Sequence, residues 1–401
     1  DGASILQYLR DTAASEGIDR HLRFGHRVVR ADWCTDEARW AITAERTATG
    51  ETVRFTAGFL LSCSGYYRYD RGYTPDFTGT DRFRGPIVHP QHWPDDLDHA
   101  GKRVVVVGSG ATAITLVPAM ARTAGHVTML QRSPTYVASL PTRDPVVGAA
   151  RALLPARWSS TAIRWFKAVT TQASYQLSHL CPGLVRRVLI AGVARQLPAG
   201  YDVATHFTPR YDPWDERLCV APDGDLFAAI REGRASVVTD HIATFTEQGI
   251  LLESGRELEA DIVVTATGLE LLFLGGIEVT VDGEPVDPAG RLVYKGMMLE
   301  GVPNLAVAIG YTNASWTLKC DLTCGYVARL LNHLRVSGFR QCTPVNGDSS
   351  VRPEPLLGLR SGYIRRAADR FPSQGSRRPW RVHQSYVRDY RDLTMGSLDD
   401  G

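Results

Sequence analysis

Residues 102–113 hold the densest chemistry in the sequence: Lys-Arg-Val-Val-Val-Val107 runs directly into Gly108-Ser109-Gly110-Ala111-Thr112-Ala113. The valine run ending at Val107 is short and wholly apolar, as a parallel strand covered on both faces must be. In the turn after it, Gly108 permits a tight bend and Gly110 lets a pyrophosphate approach the backbone. Ala113 allows helix and strand to pack closely, and the helix N-terminus faces the phosphates. A helix through Arg122 and a second strand, Val127–Gln131, close a βαβ unit in about 30 residues. An acidic residue at the end of that strand would accept a ribose 2′-hydroxyl. This chain has Gln131-Arg132-Ser133 instead, a guanidinium and a hydroxyl suited to a 2′-phosphate, so NADPH is preferred over NADH. The alternative is a plain tight βα turn.

Other clusters carry less. The seven cysteines (34, 63, 181, 219, 320, 324, 342) are odd in number and scattered, and none forms Cys-x-x-Cys, which argues against a disulfide scaffold or zinc ribbon. Cys320 and Cys324 would share one face of a helix, but nothing completes a metal set around them. His89 and His92 lack a third ligand, so no metal is expected.

An α/β frame must position these groups. From Asp1 the chain reads as a running amphipathic helix, with Ile5, Tyr8, Leu9 and Thr12 at helical spacing. Strands are predicted over His26–Trp33, Arg39–Glu45 and Val53–Cys63, a small meander ending in Cys63-Ser64-Gly65. After the βαβ unit, Ala235–Thr239, Gly249–Glu253 and Ala260–Gly268 read as strands, the last leaving through Ala266-Thr267-Gly268. Two strand-to-glycine exits flanking a nucleotide unit are what a chain shows when it crosses between two nucleotide-binding domains. Asn304–Gly310 leads through the polar turn Tyr311–Lys319 into a helix to Arg335, and such a turn can aim backbone N–H groups at an anionic ring system.

With 401 residues, 44% of them hydrophobic, the chain can bury more than one core, which excludes disorder. Its 45 basic and 43 acidic residues leave a formal charge of +2, too balanced for a nucleic-acid binder, and favour small-molecule chemistry. Between residues 145 and 201 there is no Asp or Glu, while Arg151, Arg157, Arg164, Lys167, Arg186, Arg187 and Arg195 stand among apolar residues. This predicts a basic helical insertion: a cap with a solvated arginine face or, as a second reading, a peripheral membrane contact that draws in lipophilic substrates. No apolar run approaches the ~20 residues of a spanning helix, and the N-terminus lacks a basic-then-apolar signal. The expectation is therefore a cytoplasmic protein, membrane-associated on the second reading.

Phe83-Arg-Gly85-Pro-Ile-Val-His89-Pro-Gln-His-Trp93-Pro94 fits Phe-x-Gly-x-x-x-His-x-x-x-Trp-Pro, and so resembles the fingerprint of flavin-dependent Baeyer–Villiger monooxygenases. His-Pro-Gln-His-Trp-Pro (89–94), Met-Leu-Gln-Arg-Ser-Pro-Thr-Tyr (129–136), Pro-Trp-Asp-Glu-Arg-Leu-Cys (213–219) and Gly-Tyr-Thr-Asn-Ala-Ser-Trp-Thr-Leu-Lys (310–319) are similar to the ethionamide-activating FAD-containing monooxygenases. The resemblance runs over essentially the whole chain. It implies an α/β fold with two dinucleotide-binding (Rossmann-like) domains, the FAD domain being split in sequence around an inserted NADP domain. Residues 1–99 would be its first part with the linker motif, 100–268 the NADP domain with the helical insertion at 145–201, and 269–401 the return to the FAD domain.

The implied cofactors are FAD and NADPH. The implied partners are O₂ and a small lipophilic ketone or sulfur-containing substrate, one oxygen atom being inserted beside a carbonyl or onto a thioether or thioamide; no oligomeric state follows. By the same resemblance Arg217 is the permanent cation beside the oxygenated flavin, the alternative being a surface ion pair with Asp215 or Glu216. Val28, Asn313 and Trp316 would contact FAD. Phe83, Gly85, His89, Trp93 and Pro94 would form a hinge, and Ala266, Thr267 and Gly268 a second crossing. In the family a Lys often precedes the catalytic Arg; here it is Glu216, which shifts phosphate recognition toward Arg132. The family also opens with a Gly-x-Gly-x-x-Gly unit for the FAD pyrophosphate that does not precede Asp1, so the expectation is a chain that holds NADPH well and FAD poorly. Two rival readings are a non-catalytic NADPH sensor, which would need Arg132 but not Arg217, and a disulfide reductase, for which Cys320 and Cys324 have the wrong spacing.

Overall fold

The computed structural model describes residues 2–398. Helix α1 (Gly2–Ser15) forms as its spacing predicts, although Asp1 lies outside the described residues. Its apolar stripe is not covered: Ile5, Tyr8 and Leu9 are all exposed.

The meander is β1 (His26–Cys34), β2 (Arg39–Arg46) and β3 (Thr52–Ala57), paired antiparallel in that order. Alternation turns Ala31, Trp33, Trp40, Ile42 and Ala44 into the core, with Trp33 and Trp40 edge to face at 5.4 Å. One expectation fails here. Val53–Cys63 is two strands, because the chain breaks at Gly58 and β4 (Leu60–Ser62) enters a different sheet, parallel to the strand Leu305–Val307. Asn304 makes the break: its Nδ2 donates to the Gly58 carbonyl at 2.7 Å while its own carbonyl accepts from Leu60 N at 2.9 Å.

The second sheet is built from β5 (Ile87–Val88), β6 (Arg103–Val107) and β7 (His126–Gln131), together with two strands that come later in the chain. Residues Val104–Val107 are at most 7% exposed, and α2 (Ala111–Met120) lays Ala113, Ile114 and Val117 on the sheet. A side ribbon pairs β8 (Val137–Leu140) in parallel with β9 (Cys219–Pro222), and between them lie α3 (Pro145–Leu153), α4 (Ala156–Leu180), α5 (Pro182–Ala194) and α6 (Val203–Phe207). Two of the seven insertion cations are structural: Arg164 pairs with Asp321 and Lys167 with Asp144, the residue that caps α3. Helix α7 (Asp225–Arg231) leads to β10 (Ala235–Thr239), and β11 (Ile242–Phe245), β12 (Gly249–Leu252) and β13 (Glu257–Glu259) form an antiparallel flap before β14 (Ile262–Thr265). The parallel order β10-β7-β6-β14-β5 is a nucleotide-binding α/β sheet.

From β14 the chain returns: β15 (Glu278–Val281) pairs in parallel with β1, and Leu305–Val307 with β4, so the first domain is assembled from both ends of the sequence. Helix α8 (Trp316–Ser337) follows. Its Lys319, 3% exposed, places Nζ 2.7 Å from Asp389 Oδ2, which also accepts from the Tyr311 hydroxyl at 2.7 Å. Deleting one partner of such a buried pair costs about 3–5 kcal/mol, so this triad fastens the helix Tyr386–Thr394 to α8 and to the turn before it.

Candidate active site

At the glycine turn the backbone does the work. Gly108 sits at φ +140°, and a Cβ there would lie 2.3 Å from the carbonyl oxygen of Ala266. Only glycine fits, and the contact ties the turn to the second crossing. Gly110 caps α2 without a side-chain hydrogen bond, and a Cβ there would meet no protein atom within 4 Å. That open space before an uncapped helix N-terminus suits a pyrophosphate. Ser109 Oγ donates to the Ser133 carbonyl at 3.1 Å, joining the turn to the end of β7. Ala111, Thr112, Arg132 and Ser133 are exposed around it, whereas Val107 and Ala113 are core. Gln131 takes a different part: at 2% exposure its Nε2 donates to the His206 carbonyl and to Thr239 Oγ1, so its amide is committed to packing.

The fingerprint is a junction. Phe83 enters the core beside Val105, Val107 and Phe245, and Trp93 packs on the other face of the sheet. A Cβ on Gly85 would lie 2.3 Å from the Asp261 carbonyl oxygen. His89 Nε2 lies 3.3 Å from the Gly268 carbonyl, and Pro94 follows Trp93 out of the turn. Burial lowers the His89 pKa, against the Gly268 bond, so the neutral ring donates to that carbonyl. Thr267 Oγ1 donates to the Tyr73 carbonyl at 2.6 Å, and Tyr73 N to the Gly268 carbonyl at 3.1 Å. His92 faces the Asp70 carbonyl at 2.9 Å, so the two histidines point to different partners, and among the described residues no metal-holding cluster exists.

Arg217 is half-buried, and its Nε lacks a hydrogen-bond partner. Burial alone would pull the guanidinium pKa down; the phenols of Tyr67, Tyr363 and Tyr66 outweigh it and hold the group above its ordinary value. The surface ion-pair alternative is not what the chain builds: Asp215 faces Arg360 at 3.7 Å, and Glu216 faces Arg365 and Arg132. Three residues before Arg217, Trp214 is held at φ +74°, a strained conformation for a bulky side chain, and its ring meets Tyr175 of α4 at 5.5 Å. Tyr66 lies 4.7 Å from Tyr67 and 4.8 Å from Trp316, whose ring stacks on Tyr67 at 12°. The sequence reading missed Tyr66, Tyr67 and Tyr363; the Tyr-Tyr pair directly after Cys63-Ser64-Gly65 was the available signal.

In the turn before α8, Asn313 is 4% exposed and donates from Nδ2 to the Gln384 carbonyl at 2.9 Å, which leaves its Oδ1 buried without a partner. Ser315 makes no side-chain cap on α8, so that helix also offers bare N–H groups. Val28 is half-buried at a bulge between Val28 and Arg30. Cys320 and Cys324 are free thiols, both within α8.

A two-domain α/β frame with a glycine-rich turn of the nucleotide-binding kind, a half-buried cation at the junction and an unsatisfied turn before α8 fits the flavoprotein monooxygenase class. The comparisons agree. The flavin-binding monooxygenase-like family profile matches residues 1–146. The FAD-containing monooxygenase EthA of Mycobacterium tuberculosis is 51% identical over 401 residues, all of this chain and 82% of that protein. The protein named "Probable FAD-binding monooxygenase AlmA" of Acinetobacter baylyi is 46% identical over 402 residues, again all of this chain and 80% of its own length. Among solved structures, an oxidized steroid monooxygenase bound to NADP superposes with a TM-score of 0.68 at 22% identity, over 84% of this chain and 72% of that one. An open cyclohexanone monooxygenase gives 0.66 at 19%, over 88% and 74%. The chain belongs to the FAD-containing monooxygenases, and it is an oxidoreductase.

Proposed function

We propose that the protein uses NADPH and FAD to insert one atom of O₂ beside the carbonyl of a small lipophilic ketone, or onto the sulfur of a thioether or thioamide. The observation that carries this is Arg217: a half-buried cation with an orphan Nε–H, walled by Tyr66, Tyr67 and Tyr363 where the two nucleotide domains meet. Bound FAD, reduced by NADPH, supplies the activation of O₂. The chain's own residues do the rest. The α2 N-terminus and the Gly108–Gly110 backbone hold the NADPH pyrophosphate, and Arg132 with Ser133 holds the 2′-phosphate. The α8 N-terminus and Asn313, whose buried Oδ1 is a free acceptor, would hold the flavin. Arg217 keeps its proton at every working pH and favours negative charge developing on oxygen in the junction. The His89–Gly268 contact lets the fingerprint move with the crossing when nucleotide binds.

The test supplies the FAD-loaded enzyme with NADPH, isotope-labelled dioxygen, a cyclic ketone and a thioether. Label is expected in the lactone or the sulfoxide. NADPH consumption with no label in any product would defeat the reading.

A second observation favours a membrane contact for the insertion. Trp158, Leu177, Leu180, Leu184 and Val188 are exposed along α4 and α5, interleaved with exposed Arg157 and Arg187. No single helix is long and apolar enough to cross a membrane, so this face would lie on an anionic surface and admit lipophilic substrate. Sedimentation with anionic liposomes at low salt is expected, and Trp158→Glu with Leu180→Glu should abolish it.

A further inference from the structure

A cavity of about 170 Å³, with Arg217 not among its lining residues, lies between α8 and the C-terminal helix. That volume is close to the engineered cavity of about 150 Å³ that accepts benzene, so it has room for a ligand of roughly six non-hydrogen atoms. Its charged wall is one-sided: Lys319, Arg378 and Arg381 stand against Asp389 and Asp392, with His383 between them. Both carboxylates are already engaged. Asp389 accepts from Lys319 and Tyr311, and Asp392 faces Arg378 at 3.1 Å and Arg391 at 3.3 Å. Among the described residues, Arg381 donates only to a backbone carbonyl, that of Ser376, at 3.3 Å. Lys295, also on the wall, donates to the Ser397 carbonyl.

His383 registers the imbalance. Arg378 Nε lies 3.2 Å from its Nε2 and Arg388 Nη1 3.4 Å from its Nδ1. A neutral imidazole accepts at one nitrogen only, so the other must turn its N–H toward a guanidinium. Burial, then Arg378 and Arg388, depress the His383 pKa, which keeps the ring from adding a further charge. An anion in the cavity would relieve this crowding. Pro379, Val382 and Leu393 supply the apolar part of the lining.

The geometry points to a binding site for a small organic carboxylate with a short apolar tail, its head group on Arg381 and Arg378 and its tail against Val382 and Leu393. The site bears on the flavin turn. One residue beyond His383, Gln384, held at φ +48°, accepts from Thr312 N through Oε1 at 3.0 Å and from Asn313 Nδ2 through its carbonyl at 2.9 Å. Filling the cavity therefore tightens the clamp on residues 311–315.

Isothermal titration of the 401-residue chain with pentanoate tests the site, with pentanamide and inorganic phosphate as comparison arms. Saturable pentanoate binding is expected, absent for pentanamide, weaker for phosphate, and weakened about tenfold by Arg381→Gln, which removes one charge-assisted contact at an exposed position. Arg378→Gln is a second variant, each being checked for an unchanged melting curve. Slower amide exchange over residues 311–315 should accompany binding. The proposal is overturned by no saturable pentanoate binding, by equal binding of the amide, by tighter binding of phosphate, by indifference to both substitutions, or by competition from FAD, which would make the cavity part of the flavin site. Unchanged exchange would remove the link to the turn.

Discussion

The glycine turn and the Arg217 junction differ in how they are made. The turn is local: residues 107–113 and 131–133 lie within one βαβ unit, its backbone is fixed by Gly108 against Ala266, and Ser109 binds across it. The junction draws on four remote stretches, Tyr66–Tyr67, Arg217, Asn313–Trp316 and Tyr363, and it retains buried polar atoms without partners at Arg217 Nε and Asn313 Oδ1. A preformed cradle can bind nucleotide on its own terms. A buried donor or acceptor left unpaired costs about 1–3 kcal/mol, so on the proposed function the junction would gain its missing partners from cofactor and substrate.

Arg217→Ala breaks the junction without touching the turn. Loss of one donor to a developing oxyanion is worth about 10²- to 10³-fold in rate, so labelled-oxygen incorporation should fall by that much while NADPH affinity, read by fluorescence titration, stays within a few-fold. Equal losses in both would mean that the two regions are not separable. An NADPH sensor, by contrast, would be indifferent to this substitution.

Gly108→Ala and Gly110→Ala sharpen the same contrast from the other side. At position 108 a Cβ meets the Ala266 carbonyl at a φ that alanine does not tolerate, so the chain must shift, at a cost of about 3 kcal/mol. At 110 the Cβ enters open space at φ −78°, and the fold should not notice. Both should weaken NADPH binding, by about a hundredfold for Gly108→Ala. Only Gly108→Ala should also lower the melting temperature, and a matching drop in Gly110→Ala would contradict the open cradle.

This division also explains what the sequence could reveal. The turn was legible because its chemistry sits in one continuous run whose glycines have a steric meaning, and β6, α2 and β7 fall close to where periodicity puts them. The fingerprint was legible as a pattern, but its partner Gly268 stands 179 residues from His89, and no local rule links them. Arg217 came from resemblance alone. Its tyrosine wall stayed hidden, since Tyr66 and Tyr363 are joined only by folding. The split of Val53–Cys63 was missed because Asn304, which breaks it, lies 246 residues from Gly58. Gln131 looked available at a strand end and proved buried, because α6 packs over it.

Arg132→Ala should weaken NADPH about tenfold, leave NADH nearly unaffected and so erase the preference between them, since one charge-assisted contact to the 2′-phosphate is removed. Retained discrimination would move that role to Ser133 or Arg365.

Glu216 gives the smallest effect and the finest test, because it is where the two regions touch. Burial raises its carboxyl pKa, against the pull of Arg365 and Arg132. Above that raised pKa the ionised carboxylate competes for Arg132 and repels an incoming phosphate; as pH falls through it, protonation removes the competitor. NADPH affinity in the wild type should therefore gain relative to Glu216→Gln as the solution is acidified. Near neutral pH the Gln variant should bind NADPH up to about fivefold more tightly, the upper range for a partly exposed ion pair. Taking the difference between the two proteins at each pH cancels titration of the nucleotide phosphate itself. Parallel pH profiles would place Glu216 outside the phosphate site and leave Arg132 to act without a counter-charge.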